Sequence, residues 1–376
     1  MGSRPLAVIK VGGSLLRNTE SYVNAAENVK NLVVEREIRP IVVISAMKGA
    51  TDLLIKASLG NREMLEEVYD MYMNVARGLS STKLVKRVDE EFEEIRRIIE
   101  LNDVDLAARR DLVASYGERL SKAIFIEALE FVGISAYGLD ARELIMTNSV
   151  HGDATVDYEA TSKLLKNVYE LIATKPAIPV IEGFIGKSRE GEVTTLGRGG
   201  SDYTATTIAS LLSIEDVYLV TNVEGVFSAN PQLVPSAKLV SSMDYEEAME
   251  ASRHGVKGIN SKTFEPVMKF YPSRIRVGTW SKFGTVISRS SRENDARPKI
   301  LVYSCEAQPY VAIIGKNVHK QDFLINVLKT LVKERIEIEG LEVQVKKPSL
   351  LIALRHELDQ VTLTRLHDEI VGGDRQ

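Results

Sequence analysis

Residues 6–14 read LAVIKVGGS. Leu6 to Val11 is an apolar, β-branched run of the kind that forms a strand buried on both faces, and it ends at a Gly-Gly turn. A helical pattern follows from about Thr19 to Glu37. Strand, glycine turn and helix together make a plan for cradling phosphate, because helix-start N–H groups then face the turn. Lys10 precedes the glycines, so this is not a Walker loop, and the spacing is not that of a dinucleotide fingerprint. A lysine at the strand end beside Gly12, Gly13 and Ser14 can set its ammonium on a transferring phosphoryl group, although a strand-end lysine can also simply snorkel to water.

Residues 194–205, TTLGRGGSDYTA, form a second loop of this type. Gly197, Gly199 and Gly200 free the backbone for positive φ and close approach to a ligand. The run from Ser201 to Leu212 has a helical pattern, so its first amides point back into the turn. Arg198 offers a planar fork suited to a carboxylate. A tight turn carrying a solvated arginine is the plain alternative.

Working outward, strand-like runs at Leu6–Val11, Pro40–Ser45, Ile134–Leu139, Ala177–Glu182, Asp216–Thr221, Arg274–Gly278 and Thr285–Ser288 are mostly separated by helical pattern. That alternation predicts an α/β fold with a mainly parallel sheet covered on both faces. Arg62–Ile99 and Asp105–Phe131 read as two or three inserted helices, and residues 182–196 as a hairpin that delivers the glycine loop. After Ser288 the polar segment RSSRENDARP at 289–298 marks a boundary between a domain at 1–295 and a module at 299–376. The module reads βαββα, either incomplete or closed by a strand at Ile300–Ser304.

Bulk properties exclude several classes of function. The chain has 376 residues, 44% hydrophobic and 27% charged, with a net charge of -4, so nothing draws it toward nucleic acid or a membrane surface. No apolar stretch approaches the roughly 20 residues of a membrane span, and a cytoplasmic location is expected. A single cysteine, Cys305, excludes an internal disulfide, and the five histidines show no ligand spacing. No protein-held metal is expected.

The succession VIKVGGSLL at 8–16, VVISAMKGATDLL at 42–54, SYGERLSKA at 115–123, GFIG at 183–186, TTLGRGGSDYTA, TNVEGVF at 221–227 and GVKGINSKTFEPVM at 255–268 resembles the aspartate kinases of the amino acid kinase superfamily. The resemblance covers about the first 290 residues, and the C-terminal module resembles a single ACT domain. It implies an open, mostly parallel eight-stranded sheet, ATP with Mg2+ carried by the nucleotide, and an amino acid as phosphoryl acceptor. Arg198 and Glu118 would hold the carboxylate and ammonium of the amino acid, although Glu118 taken alone could be a carboxylate on a helix surface. Ser45, Thr51, Gly199 and Ser201 complete the implied substrate set, and Thr51 could instead cap a helix. Lys10, Gly12 and Gly13 would stabilise the phosphoryl oxygens, with Asp202 orienting Lys10.

The nucleotide side is implied to comprise Ser14, Thr221, Asn222, Phe227, Gln232, Lys257 and Lys262. The family's Tyr-Thr-x-Asp-Pro-Arg stretch reads Phe227-Ser228-Ala229-Asn230-Pro231-Gln232 here, so two charges and a hydroxyl are gone. An arginine lost from a phosphate site removes a charge-assisted bond of about 1.5 to 3 kcal/mol, and weaker ATP binding or another nucleotide preference is expected. Phosphorylation of aspartate is the leading reading, a related acceptor such as homoserine the second, and an amino-acid-sensing subunit the third. Assembly as a homodimer or higher oligomer through the C-terminal module is expected.

Overall fold

A computed structural model describes residues 4–101, 105–290, 298–343 and 347–372. Most of the polar segment 289–298 lies outside the described residues, as do residues 344–346 of the C-terminal module. By internal contacts the chain divides into two compact units, Met1–Asn222 with Glu265–Ile275, and Val223–Phe264 with Arg276–Gln376.

In the first unit, β1 (Leu6–Val11) leads through a short 3-10 turn into α1 (Thr19–Glu35). A capping box between Asn18 and Ser21 starts α1. β2 (Arg39–Ile44) follows, then α2 (Ala50–Ser58), α3 (Arg62–Gly78), α4 (Thr82–Glu100) and α5 (Leu106–Phe131). The side-chain oxygens of Asn61, Ser81 and Asp105 cap α3, α4 and α5, so each helix begins where the sequence supplies an acceptor. The chain continues through β3 (Ala136–Leu139), α6 (Ala141–Leu144), β4 (Met146–Thr147), α7 (Tyr158–Thr174) and β5 (Ile178–Glu182). β6 (Ile185–Ser188) and β7 (Val193–Thr195) form the expected hairpin, which delivers α8 (Gly200–Leu211) and then β8 (Asp216–Val220).

The expected helices of the insertion differ in character. α3 and α4 each bury one stripe, as their sequence periodicity requires. α5 is buried almost all round, and Asp111, Ser115, Glu118, Ser121 and Lys122 are buried with its apolar residues. Buried polar groups cost free energy unless they are paired, so this helix carries chemistry as well as packing.

β9 (Ser242–Asp244), α9 (Tyr245–Arg253), α10 (Glu265–Lys269), β10 (Arg274–Gly278) and β11 (Thr285–Ser288) complete the large sheet and its cover. The sheet has eight strands in the order β3-β5-β2-β1-β8-β10-β11-β9. β1 pairs in parallel with β2 on one side and β8 on the other, and β2–β5, β3–β5 and β9–β11 are also parallel. This is the eight-stranded α/β architecture expected from the sequence. β9 was not legible there, since three residues are too few to show a period.

The C-terminal part consists of β12 (Ile300–Ser304), β13 (Tyr310–Ile314), α11 (Gln321–Lys333), β14 (Ile338–Val343), β15 (Ser349–Leu354) and α12 (Gln360–Ile370). Its sheet runs β12-β13-β15-β14 and is antiparallel throughout, so the strand preceding βαββα supplies the closing edge. Its core is shared with the loop after β8. Ala229 and Val234 pack with Leu301, Val311, Ile352 and Leu366. Ser228 Oγ lies 2.9 Å from His367 Nε2, and the Leu301 amide donates to the Ser228 carbonyl at 2.7 Å.

Candidate active site

Lys10 is the penultimate residue of β1, a strand flanked on both sides, and its backbone register is fixed against Val43 and Leu219. Its ammonium meets Asp202 Oδ1 at 2.7 Å, both side chains being largely buried. Asp202 sits in the first turn of α8, where a carboxylate is favoured by the helix's positive end. Gly199 caps that helix in the left-handed conformation at φ 73°, which the loop needs to turn α8's amides inward. Gly13 has a different cause. A Cβ there would stand 2.6 Å from the Ala46 carbonyl oxygen, so only glycine lets the first loop lie against the loop after β2.

These elements enclose a cleft of about 570 Å³. Lys10, Gly13, Ser14, Ser45, Thr51, Glu118, Arg198, Gly199, Ser201 and Asp202 all line it. Ten residues singled out from four separate motifs are therefore brought to one place. Thr51 does not cap α2, since Gly49 holds that position, and Thr51 is left free to face the cleft.

Glu118 is only 3% exposed, which settles its place: it is not a helix-surface carboxylate. Burial pushes its carboxyl up from 4.5 to about 8, against its own amide, the Ala46 amide and the Thr51 hydroxyl, which favour the ionised form; the neighbouring Glu182 raises it further. Its Oε2 has no hydrogen-bond partner among the described residues. A buried, partnerless carboxylate oxygen in a cleft is a receptor for a cationic donor. Arg198 is exposed and forms no ion pair among the described residues.

Several site residues carry no motif and were missed in the sequence. Asp111 is 1% exposed and accepts from the Gly152 amide at 2.9 Å, the Thr195 amide at 2.8 Å and the Thr195 hydroxyl at 2.8 Å, fastening the β7 hairpin to α5. Glu182, the last residue of β5, pairs with Lys122 Nζ at 2.5 Å and accepts from the Ala141 amide at 2.9 Å. A carboxylate closing a wholly apolar strand was the available signal for Glu182. Arg110 also lines the cleft.

The expected nucleotide residues separate between the units. Thr221 and Asn222 follow β8 in the first unit, with the Thr221 hydroxyl 3.3 Å from Asn222 Oδ1. Phe227 and Lys257 line a cleft of about 300 Å³ in the second unit, together with Asn230, Pro231 and β12. Gln232 is exposed and does not line that cleft, nor does Lys262. No group of His, Cys, Asp and Glu among the described residues could hold a metal ion, and no described helix is long and apolar enough to cross a membrane.

The sequence profile described as the amino acid kinase family matches residues 5–277. The chain belongs to the amino acid kinase family. Among curated members, the chain is 28% identical over 381 residues to aspartokinase 3, chloroplastic, of Arabidopsis thaliana, a match covering 94% of this chain and 67% of that one. Among solved structures it resembles Escherichia coli aspartokinase III in complex with aspartate and ADP, with a TM-score of 0.73, 25% identity, and coverage of 97% of this chain and 84% of that one. The aspartate kinase of Clostridium acetobutylicum shares the fold, with a TM-score of 0.75 at 18% identity over 97% of this chain and 100% of that one. The chain spans from about a third to two thirds of the length of several curated amino acid kinases it matches.

Proposed function

We propose that this chain transfers the γ-phosphoryl group of ATP to the side-chain carboxylate of L-aspartate, giving 4-phospho-L-aspartate. One observation carries the reading: Glu118, buried with its Oε2 unanswered, and Arg198, without an ion pair among the described residues, share a cleft with the Lys10–Asp202 pair. An amino acid brings one ammonium and one α-carboxylate, which these two groups complement. The likeness to an aspartokinase that binds aspartate and ADP supports the choice of acceptor and donor.

In this reading Glu118 receives the ammonium and gives up its proton as it does so, and Arg198 receives the α-carboxylate. Ser45, Thr51, Gly199 and Ser201 shape the remaining contacts. Lys10, with the Gly12 and Gly13 amides, stabilises charge on the phosphoryl oxygens, and Asp202 holds Lys10 in register. Magnesium enters with the nucleotide. Ser14, Thr221 and Asn222 of the first unit, and Phe227, Gln232, Lys257 and Lys262 of the second, are the residues this reading assigns to the nucleotide. No general base is required, because the nucleophile is already a carboxylate.

Residues 1–295 act in this reading as the catalytic domain and 299–376 as an ACT-like module. Pairing of the open β12 or β14 edges between two chains gives a homodimer. The enzyme would serve lysine and threonine synthesis in the cytoplasm. The deciding experiment is ATP turnover with aspartate, glutamate and homoserine in separate reactions containing hydroxylamine. An acyl phosphate is trapped as the hydroxamate and a phosphate ester is not, so turnover with homoserine and no hydroxamate from aspartate would refute the proposal.

A further inference from the structure

The first-unit cleft holds more positive charge than a neutral amino acid needs. Arg110 and Arg198 both line it, and neither guanidinium has an ion pair among the described residues. Nearby arginines of α4, α5 and α6 behave differently. Arg87 meets Glu91, Arg119 lies over the Tyr116 ring and near Glu91, and Arg142 is bidentate to Asp140. An arginine that forgoes such partners keeps all five N–H donors for something else.

Arg110 is exposed, as Arg198 is, but the turn of α5 that carries it is firmly held. The next residue, Asp111, is buried and ties this turn of α5 to Gly152 and Thr195. Thr195 ends the strand that leads to Gly197 and Arg198. A Cβ on Gly152 would lie 3.9 Å from Arg110 Nη1, and one on Gly197 3.2 Å from the Gly152 carbonyl oxygen, so the guanidinium stands near the loop that packs against the turn carrying Arg198. Lys48 also lines the cleft, but its ammonium is a point charge and lacks the planar fork that matches a carboxylate.

We propose that Arg110 is a specificity-determining residue that receives the second carboxylate of a dicarboxylic amino acid, the first being held by Arg198. The inference rests on the function proposed above and names what sets the acceptor's class. Two guanidinium forks and one buried acid match two carboxylates and one ammonium. They leave a fork unsatisfied with homoserine or asparagine, whose side chains are neutral. A charge-assisted bond that one substrate makes and its analogue cannot make favours the first. Arg110 binds one oxygen of the side-chain carboxylate, and the other oxygen is the nucleophile.

The test is equilibrium binding by calorimetry to the full chain without nucleotide, with aspartate and homoserine as the two probes. Wild type should prefer aspartate by at least ~10-fold, the lower range of a charge-assisted hydrogen bond. Arg110→Ala should lose ~10-fold or more for aspartate and stay within about twofold for homoserine, whereas Arg198→Ala should weaken both alike. Arg110→Gln, which keeps length without charge, should behave as Arg110→Ala. If both Arg110 variants bind aspartate within about twofold of wild type, or lose both probes equally, the proposal falls while the proposed function stands. If Arg198→Ala alone erases the preference, the two arginines are exchanged and the proposal falls. A wild-type chain that binds homoserine and not aspartate overturns the proposed function itself.

Discussion

Replacing Glu118 by glutamine should make the free protein more stable at pH 8 than wild type and less advantaged at pH 5. The wild-type carboxyl titrates near 8 in the fold against 4.5 ordinarily, chiefly because burial penalises the charge. The native state therefore keeps a proton that the unfolded chain has released, and between those two values stability falls as pH rises. At about 1.4 kcal/mol per pH unit of separation, the loss between pH 5 and pH 8 is on the order of 3 kcal/mol. The glutamine variant lacks this titration, so urea unfolding of both proteins across pH 5 to 8 should show a difference that grows with pH in the variant's favour. Saturating aspartate should flatten the wild-type dependence, since a bound ammonium stabilises the carboxylate, and binding at pH 7 should release a proton detectable with buffers of different ionisation enthalpy. A wild-type-minus-variant difference that stays constant across this window would refute the reasoning, because it would place the charge equally in both states.

Lys10→Ala should lower turnover at least ~100-fold with an unchanged circular dichroism spectrum, because Lys10 supplies the cation at the first glycine turn; near wild-type turnover would remove it from the mechanism. Glu182→Gln strands the Lys122 ammonium in the interior and should destabilise the fold by about 3 to 5 kcal/mol in denaturant titration, with part recovered in Glu182→Gln/Lys122→Met; a loss below about 0.5 kcal/mol would mean that water reaches the pair. A chain ending at residue 297 lacks β12 and the module core that covers Ala229 and Val234, so limited proteolysis should cut within residues 228–240. Unchanged resistance there would show that this loop is held by other contacts.

Much of the framework was legible in the sequence because its signals are local. The Leu6–Val11 strand and its Gly-Gly turn, the hairpin into TTLGRGG and the amphipathic α3 and α4 are each specified by residues within a few positions of one another. Their backbone demands, a buried strand or an inward-turned helix start, follow from residue type alone. The sequence also held both ends of the Lys10–Asp202 pair, one on each glycine loop.

The sequence by itself determined the α/β alternation, the two glycine loops and the residue types gathered there. Only the tertiary structure decided that Glu118 is a buried acid with an unanswered oxygen, since burial all round α5 depends on α2, α3, α4 and the sheet closing over it. It also decided the pairing of Lys122 with Glu182, 60 positions apart, and the fastening of α5 through Asp111 to the strand that leads to Arg198. A charge on a helix reads the same in sequence whether it faces water or a cleft. Its energy is set by the dielectric around it, and that exists only once distant segments have packed.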